Sequence, residues 1–339
     1  MRHTTIERGA RSLPSAAAVR VALVEDSFRH EALFYNGVDG FLRGALPFVV
    51  EALEAGEPLL VAVGEQRAAL LHDALLEEAE RVCFVEMSEL ARNPARVIGA
   101  CRDFVAEHAA SRRGARVLSE PAWAGRSDAE LDECARHESL LNVAFARGPA
   151  WRLLCPYDLD ALAPGVIDAA RRTHPALMHE GISRRNGAFL PLHHAPGPFN
   201  GTLPAPPAAH EQLLFTRNGI GAIRALIASR SGEAELGVEA GEDLVLAVNE
   251  LVTNSVQHAG GRGTLRIWRE REDMLVCEVR DRGFIRDPLV GRLQPPIEQH
   301  GGRGLWLVNQ LCDLAQIRSA PSGTVVRVHM QRRAPRDWS

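Results

Sequence analysis

Residues 249–261 read NELVTNSVQHAGG. With the residues just upstream, they repeat apolar positions at helical spacing: Leu244, Val248, Leu251, Val252 and Ser255 mark one buried stripe. Glu250, Asn254 and His258 recur every four residues, so they share one flank of that helix at the stripe's edge. A carboxylate and a carboxamide one turn apart can hold a hydrated magnesium ion together with a water or hydroxyl. Magnesium prefers oxygen ligands, keeps several waters, and takes the rest of its shell from substrate phosphates. Taken alone, the spacing is a weak signal, and a solvated polar edge is the favoured reading.

Two pieces downstream shift that balance. Residues 274–280 read as a strand that runs into Asp281-Arg282-Gly283. An Asp at a strand end before Gly can accept a hydrogen bond from the exocyclic amine of adenine, although Asp-x-Gly is also an ordinary turn. Then Gly301-Gly302-Arg303-Gly304 opens the helical segment LWLVNQLCDL. Glycines at a helix N-terminus expose backbone N–H groups and let a phosphate approach closely. Around these pieces, helices are expected at 216–229, 241–258 and 304–314. Strands are expected at 264–271, 274–280, 315–319 and 324–330, with a tight turn at Glu272-Asp273. This is an α+β layer with an antiparallel sheet on one side and helices on the other.

NELVTN, DRG and GGRGLWLV, in this order, resemble the N, G1 and G2 boxes of the GHKL (Bergerat-fold) ATPases, and most closely those of the anti-sigma factor serine kinases of Gram-positive bacteria. The resemblance covers roughly residues 210–330. It implies ATP held with Mg2+ between the helices and a lid, with Glu250 as general base and Asn254 as magnesium ligand. It further implies that Asp281 reads adenine and that His258, Gly283, Gly302, Arg303, Gly304 and Leu305 line the nucleotide pocket. A sigma factor and a STAS-domain anti-sigma antagonist are the implied partners, the antagonist receiving phosphate on a serine or threonine. A homodimer is also in keeping with the family. The sequence departs from the usual DxGxG box: Phe284 and Ile285 follow Gly283, so the second glycine is missing. The lid, residues 287–300, carries Pro288, Pro295 and Pro296. That departure keeps open a non-catalytic binding switch, with or without nucleotide. A histidine kinase-like protein is the third reading. His179-Glu180 superficially suggests its phospho-accepting box, but Gly181 follows at once and the sequence there reads as a loop.

Upstream, short apolar runs at 19–24, 59–63, 82–85, 116–118 and 151–155 alternate with helical stretches at 40–54, 66–80, 95–113 and 128–146. That alternation predicts an α/β unit whose parallel sheet is covered on both faces. FRHEALFYNGVDGFL, EALEAGEPLLVAV, SEPAW and LLCPYD resemble the MEDS sensory domain. The resemblance implies a degenerate RecA-like fold without a phosphate loop, and a small-molecule ligand. The residues proposed to line its site are His30, Tyr35, Glu120, Trp123, Cys155, Tyr157, Asp158 and His174. Several fall at or just past expected strand ends, where open α/β sheets bind ligands. His30, Cys155 and His174 are metal-ligand residue types, but their separation along the chain gives no metal spacing.

The chain divides accordingly into a tail (1–18), the sensory unit (19–189), a linker (190–209), the ATPase unit (210–332) and a second tail (333–339). The linker is rich in proline, which denies it helix and sheet hydrogen bonds. Over 339 residues, 46% are hydrophobic and 24% charged, as in an ordinary globular protein. The net charge of −4 argues against direct DNA binding. No apolar run is long enough to span a membrane and no signal peptide is evident, so a cytoplasmic location is expected. The sequence contains no lysine, which excludes a Walker A loop and a lysine Schiff base. None of the six cysteines forms a CxxC pair.

Overall fold

A computed structural model describes residues 28–109, 114–192, 202–296 and 302–333. The first unit is built from β1 (Arg29–Tyr35), α1 (Gly37–Ala55), β2 (Leu59–Val63), α2 (Glu65–Leu75), β3 (Cys83–Glu86), α3 (Met87–Leu90), α4 (Val97–His108), β4 (Arg116–Ser119), α5 (Asp128–Ala144), β5 (Arg152–Asp158), α6 (Pro164–Thr173), β6 (Ala176–His179) and β7 (Ile182–Arg185). Its seven strands lie in the order β3-β2-β4-β5-β1-β6-β7, parallel except for β7, which pairs antiparallel with β6. Both faces are covered. Leu59, Val61 and Val63 of β2 join Phe41, Phe48 and Val49 of α1 on one side. Leu60 and Ala62 join Ile98 of α4 and Leu140 and Leu141 of α5 on the other. The unbroken apolar run of β2 is therefore the mark of a strand buried on both faces.

One expectation needs amendment here, and another falls outside the described residues. The strand expected at 19–24 lies outside the described residues, as do both expected tails apart from residue 333. An interior strand of the sheet, between β5 and β6, is β1, whose sequence RHEALFY hides its burial behind polar residues. Glu31 is fully buried because Arg152 on β5 pairs with it at 3.1 Å. His179, expected in a loop, ends β6 and faces Ile182 across a tight hairpin, with Glu180 and Gly181 both at positive φ.

The second unit comprises β8 (Glu211–Thr216), α7 (Ile220–Glu233), α8 (Val238–His258), β9 (Arg262–Arg271), β10 (Met274–Asp281), α9 (Gly304–Leu311), β11 (Leu314–Ala320) and β12 (Gly323–Gln331). Its strands run antiparallel in the order β11-β12-β10-β9-β8. The three helices cover one face. The predicted stripe on α8 is buried throughout and packs on Leu275, Cys277 and Val279 of β10. The helix expected from residue 216 begins at Ile220, and the residues before it form an edge strand. Exposure alternates along that strand, but Leu214 occupies an exposed position, so the apolar pattern of the sequence does not reveal the strand and pairing with β9 fixes it. On the far face of the sheet, Glu278 is fully buried and held by Arg280 (2.6 Å) and Arg327 (2.6 Å). The end of the expected linker crosses this face, where Leu203 is buried and the Pro204 carbonyl accepts from Arg327.

The units meet through α9 and the segment before it. The Asn309 carbonyl accepts from Asn93 Nδ2 (3.1 Å) and Arg96 Nε (3.2 Å). Leu289 and Leu293 pack against the apolar core of the first unit. Glu133 of α5, itself buried, faces Arg318 Nη1 at 2.5 Å and Arg292 Nη2 at 3.8 Å. Removing one partner from a buried ion pair strands the other and costs about 3–5 kcal/mol. Glu133→Ala is therefore expected to lower stability by about that amount in urea denaturation, while Glu80→Ala, at an exposed position, changes it little. Equal stabilities for the two variants would contradict the structural role of this contact.

Candidate functional site

The helix α8 positions Glu250 and Asn254 half-buried on one flank, one turn apart, as the sequence spacing requires. The glycine loop descends onto them. A methyl group built on Gly304 would lie 2.8 Å from Glu250 Oε2 and 3.1 Å from Asn254 Nδ2. Only a residue without a side chain lets the N-terminus of α9 sit this close to both groups. Gly302, two residues earlier, has φ of 80°, a left-handed conformation that costs other residues roughly 1–2 kcal/mol.

Asp281 closes the other end of the site. Its Oδ1 accepts from the Gly283 N–H (2.8 Å) and its Oδ2 from the Ser255 hydroxyl (2.5 Å). The carboxylate is thus oriented by two donors before any ligand arrives. The Thr324 hydroxyl donates to the Gly283 carbonyl (2.8 Å), and the Ser319 hydroxyl accepts from the Ile285 N–H (2.8 Å). The segment that lacks the second glycine is thereby tied to β11 and β12. Asn254, His258, Asp281, Gly283, Gly302, Gly304 and Leu305 together line a cleft of about 270 Å³. Glu250 borders it through Gly304, and Arg303 is exposed and donates to the Pro296 carbonyl (3.1 Å). Gly301 and residues 297–300 lie outside the described residues. A larger hollow of about 730 Å³ sits on the outer side of α7 and α8, with neither Glu250 nor Asp281 in its wall.

Sequence reasoning missed three parts of this site. Ser255 reads as one more member of the apolar stripe, and its function shows only in the contact with Asp281. Thr324 and Ser319 lie on strands more than thirty residues downstream. A hydroxyl in an otherwise apolar helical stripe was the available signal for Ser255.

In the first unit the eight candidate residues separate into two groups. Tyr35 ends β1, Asp158 ends β5 and Glu120 follows β4, so all three reach the carboxyl edge of the sheet. Arg67 of α2, which the sequence did not single out, gathers them. Its guanidinium donates to the Tyr35 hydroxyl (2.7 Å) and pairs with Glu120 Oε1 (3.1 Å) and Asp158 Oδ2 (3.0 Å). Burial pushes the Glu120 carboxyl up from its ordinary value, against the pull of Arg67 and the Gly64 N–H. Glu120, Trp123 and Asp158 line a cleft of about 510 Å³ with Gly64 and Arg67. The second group, His30, Cys155, Tyr157 and His174, lies in the core under α5 and α6, each no more than 3% exposed.

Two separate stretches of the chain match known families. Residues 29–175 match the family described as MEDS, the methanogen/methylotroph DcmR sensory domain. Residues 216–330 match the histidine kinase-like ATPase domain. Among solved structures, one of the RsbU and RsbW domains of a Mycobacterium tuberculosis protein aligns at 18% identity and a TM-score of 0.27. That alignment covers 36% of this chain and 32% of the other. No curated protein matches. No helix among the described residues is long and apolar enough to cross a membrane.

The geometry separates the two glycines. Gly302→Ala is expected to strain the loop and to lower the melting temperature by a few degrees. Gly304→Ala gains helix propensity, but its methyl would force the Glu250 carboxylate to turn aside; because that group is the far end of a flexible side chain, the melting temperature is expected to change less than in Gly302→Ala. Thermal unfolding followed by circular dichroism checks both, and an equal loss in the two variants would contradict the assignment.

Proposed function

We propose that this protein is a regulatory kinase. Its C-terminal unit (210–332) binds Mg-ATP and transfers the γ-phosphate to a serine or threonine hydroxyl of a STAS-domain anti-sigma antagonist, and it also binds a sigma factor. Its N-terminal unit (19–189), joined through the 190–209 linker, responds to a small ligand. The observation that carries this reading is the approach of Gly304 to both Glu250 and Asn254. It sets a phosphate-binding helix N-terminus directly above a carboxylate and a carboxamide. The match to a histidine kinase-like ATPase domain supports the nucleotide, and the match to a sensory domain supports the regulatory part.

The donors suit magnesium: Asn254 offers an amide oxygen, and the rest of the shell comes from water and phosphate. When bound, the ion supplies charge neutralisation to the phosphates. Asp281, fixed by Ser255 and the Gly283 N–H, accepts the adenine amine. The N–H groups at the start of α9 hold the phosphates. Glu250 accepts the proton of the attacking hydroxyl. The new oxygen–phosphorus bond forms in line as the bond to the β-phosphate oxygen breaks, and ADP leaves. Positioning and charge stabilisation carry most of such a reaction.

A nucleotide-dependent switch without phosphotransfer is the second reading. It is favoured by the anchoring of Ile285 to Ser319 where a glycine would give freedom. Radiolabelled ATP with a STAS-domain partner separates the two. Phosphoserine or phosphothreonine is expected, falling about 10²–10⁴-fold in Glu250→Gln while nucleotide binding persists. Binding without transfer in the unaltered protein would establish the switch. Asp281→Ala is expected to weaken ATP binding by roughly tenfold or more, as loss of a hydrogen bond to a charged group implies. Unchanged affinity in that variant would contradict the adenine assignment.

A further inference from the structure

Four side chains from distant parts of the sequence meet in the core of the N-terminal unit. They are His30 on β1, Glu138 on α5, Cys155 on β5 and His174 just after α6. One ligand atom from each lies within 4.8 Å of all the others. Glu138 Oε2 is 3.0 Å from His30 Nε2 and 3.0 Å from His174 Nε2, and Cys155 Sγ is 3.6 Å from His30 Nε2. All four residues are buried, with exposures of 0–3%.

The hydrogen bonds around the cluster settle where the ring protons sit. Asn142 uses its Nδ2 to donate to the carbonyls of Glu138 (3.1 Å) and Thr173 (2.8 Å). Its Oδ1 is therefore the acceptor that faces His30 Nδ1 at 3.0 Å, and that nitrogen carries a hydrogen. His174 Nδ1 lies 2.8 Å from the Ala170 carbonyl, which can only accept, so it carries a hydrogen as well. In the neutral rings, both Nε2 atoms are then bare and both point at one carboxylate oxygen. His174 Nε2 is buried and makes no hydrogen bond. Two bare nitrogens against a carboxylate repel unless a proton or a metal ion lies between them, and a single proton relieves only one of the two 3.0 Å contacts. Charging both rings would put two cations side by side, with ring centroids 4.1 Å apart, in a site closed to water.

We propose that His30, Glu138, Cys155 and His174 form a closed tetrahedral site for a single zinc ion. Four ligands at ordinary zinc distances would be separated by roughly 3.3 Å between nitrogen or oxygen atoms and roughly 3.6 Å between nitrogen and sulfur. The contacts of 3.0, 3.0 and 3.6 Å lie close to those edges. On binding, the Cys155 thiol loses its proton to solvent. The carboxylate and thiolate then balance the ion's two charges, leaving no net charge in the core. The bonds from Nδ1 to Asn142 and Ala170 are the outer contacts that fix ligating histidines in the Nε2-binding tautomer. With four protein ligands and no open position, the site is of the structural kind, joining β1, α5, β5 and the end of α6. It stands apart from the nucleotide site and does not depend on the kinase reading.

The test uses the full chain carrying Cys83→Ser, which removes an exposed thiol outside the cluster. The protein is produced with zinc, dialysed against a weak chelator, and its metal measured by plasma emission. About one equivalent of zinc is expected, and a metal-free chain that takes up none would overturn the proposal. Cobalt put in place of zinc is expected to give the visible bands of a tetrahedral ion and a thiolate-to-cobalt charge-transfer band. Cys155→Ser should remove the charge-transfer band, and His174→Gln should cut metal uptake. A charge-transfer band that survives in Cys155→Ser would overturn the ligand set. If both variants fail to fold, the cobalt spectrum of the parent chain decides: a thiolate band supports the site, and its absence overturns it.

Discussion

A helix N-terminus can approach a carboxylate and an amide closely only where no side chain intervenes, and the C-terminal unit is arranged around one such approach. Gly304 brings α9 onto Glu250 and Asn254, and a methyl group there would meet the carboxylate oxygen at 2.8 Å. The buried stripe of α8 fixes the height of those two side chains above the sheet. The strand β10 delivers Asp281 to the far end of the cleft, where Ser255 and Gly283 orient it. Helix packing, strand register and loop conformation therefore converge on one set of donors and acceptors.

The elements that shape this cleft also carry the contact with the N-terminal unit. Asn309 of α9 donates to the Gly291 carbonyl in the first part of the expected lid, and its own carbonyl accepts from Asn93 and Arg96. Arg292, one residue further along, faces Glu133 on α5. Glu138, little more than one turn further along the same helix, belongs to the His30–Cys155–His174 cluster. A change in the position of α5 would therefore be felt at the base of the lid through direct contacts, and this gives the regulatory reading a physical route.

How much of this was legible in the sequence varied with the kind of signal. The periodicity of α8 and the all-apolar run of β2 report burial directly, and both were read correctly. Glu250 and Asn254 could be singled out by their four-residue spacing on one helix flank, and Asp281 and the glycine loop because each sits at an element boundary. The interior strand β1 was not visible, because His30 and Glu31 are buried by partners more than a hundred residues away. Arg67 and Glu138 escaped for the same reason: a buried charge looks like a surface charge until its partner is known. The candidate residues of the N-terminal unit were chosen as one group, yet the alternation of side chains along β1 and β5 sends them to two places. Tyr35 and Asp158 reach the sheet's carboxyl edge, whereas His30 and Cys155 enter the core beneath α5 and α6.

Calorimetric titration of the full chain with ATP, with magnesium present and then withheld, tests the central claim most directly. The account predicts saturable heat for about one site per chain, with affinity falling when magnesium is removed. A flat trace from well-folded protein at millimolar nucleotide would contradict it.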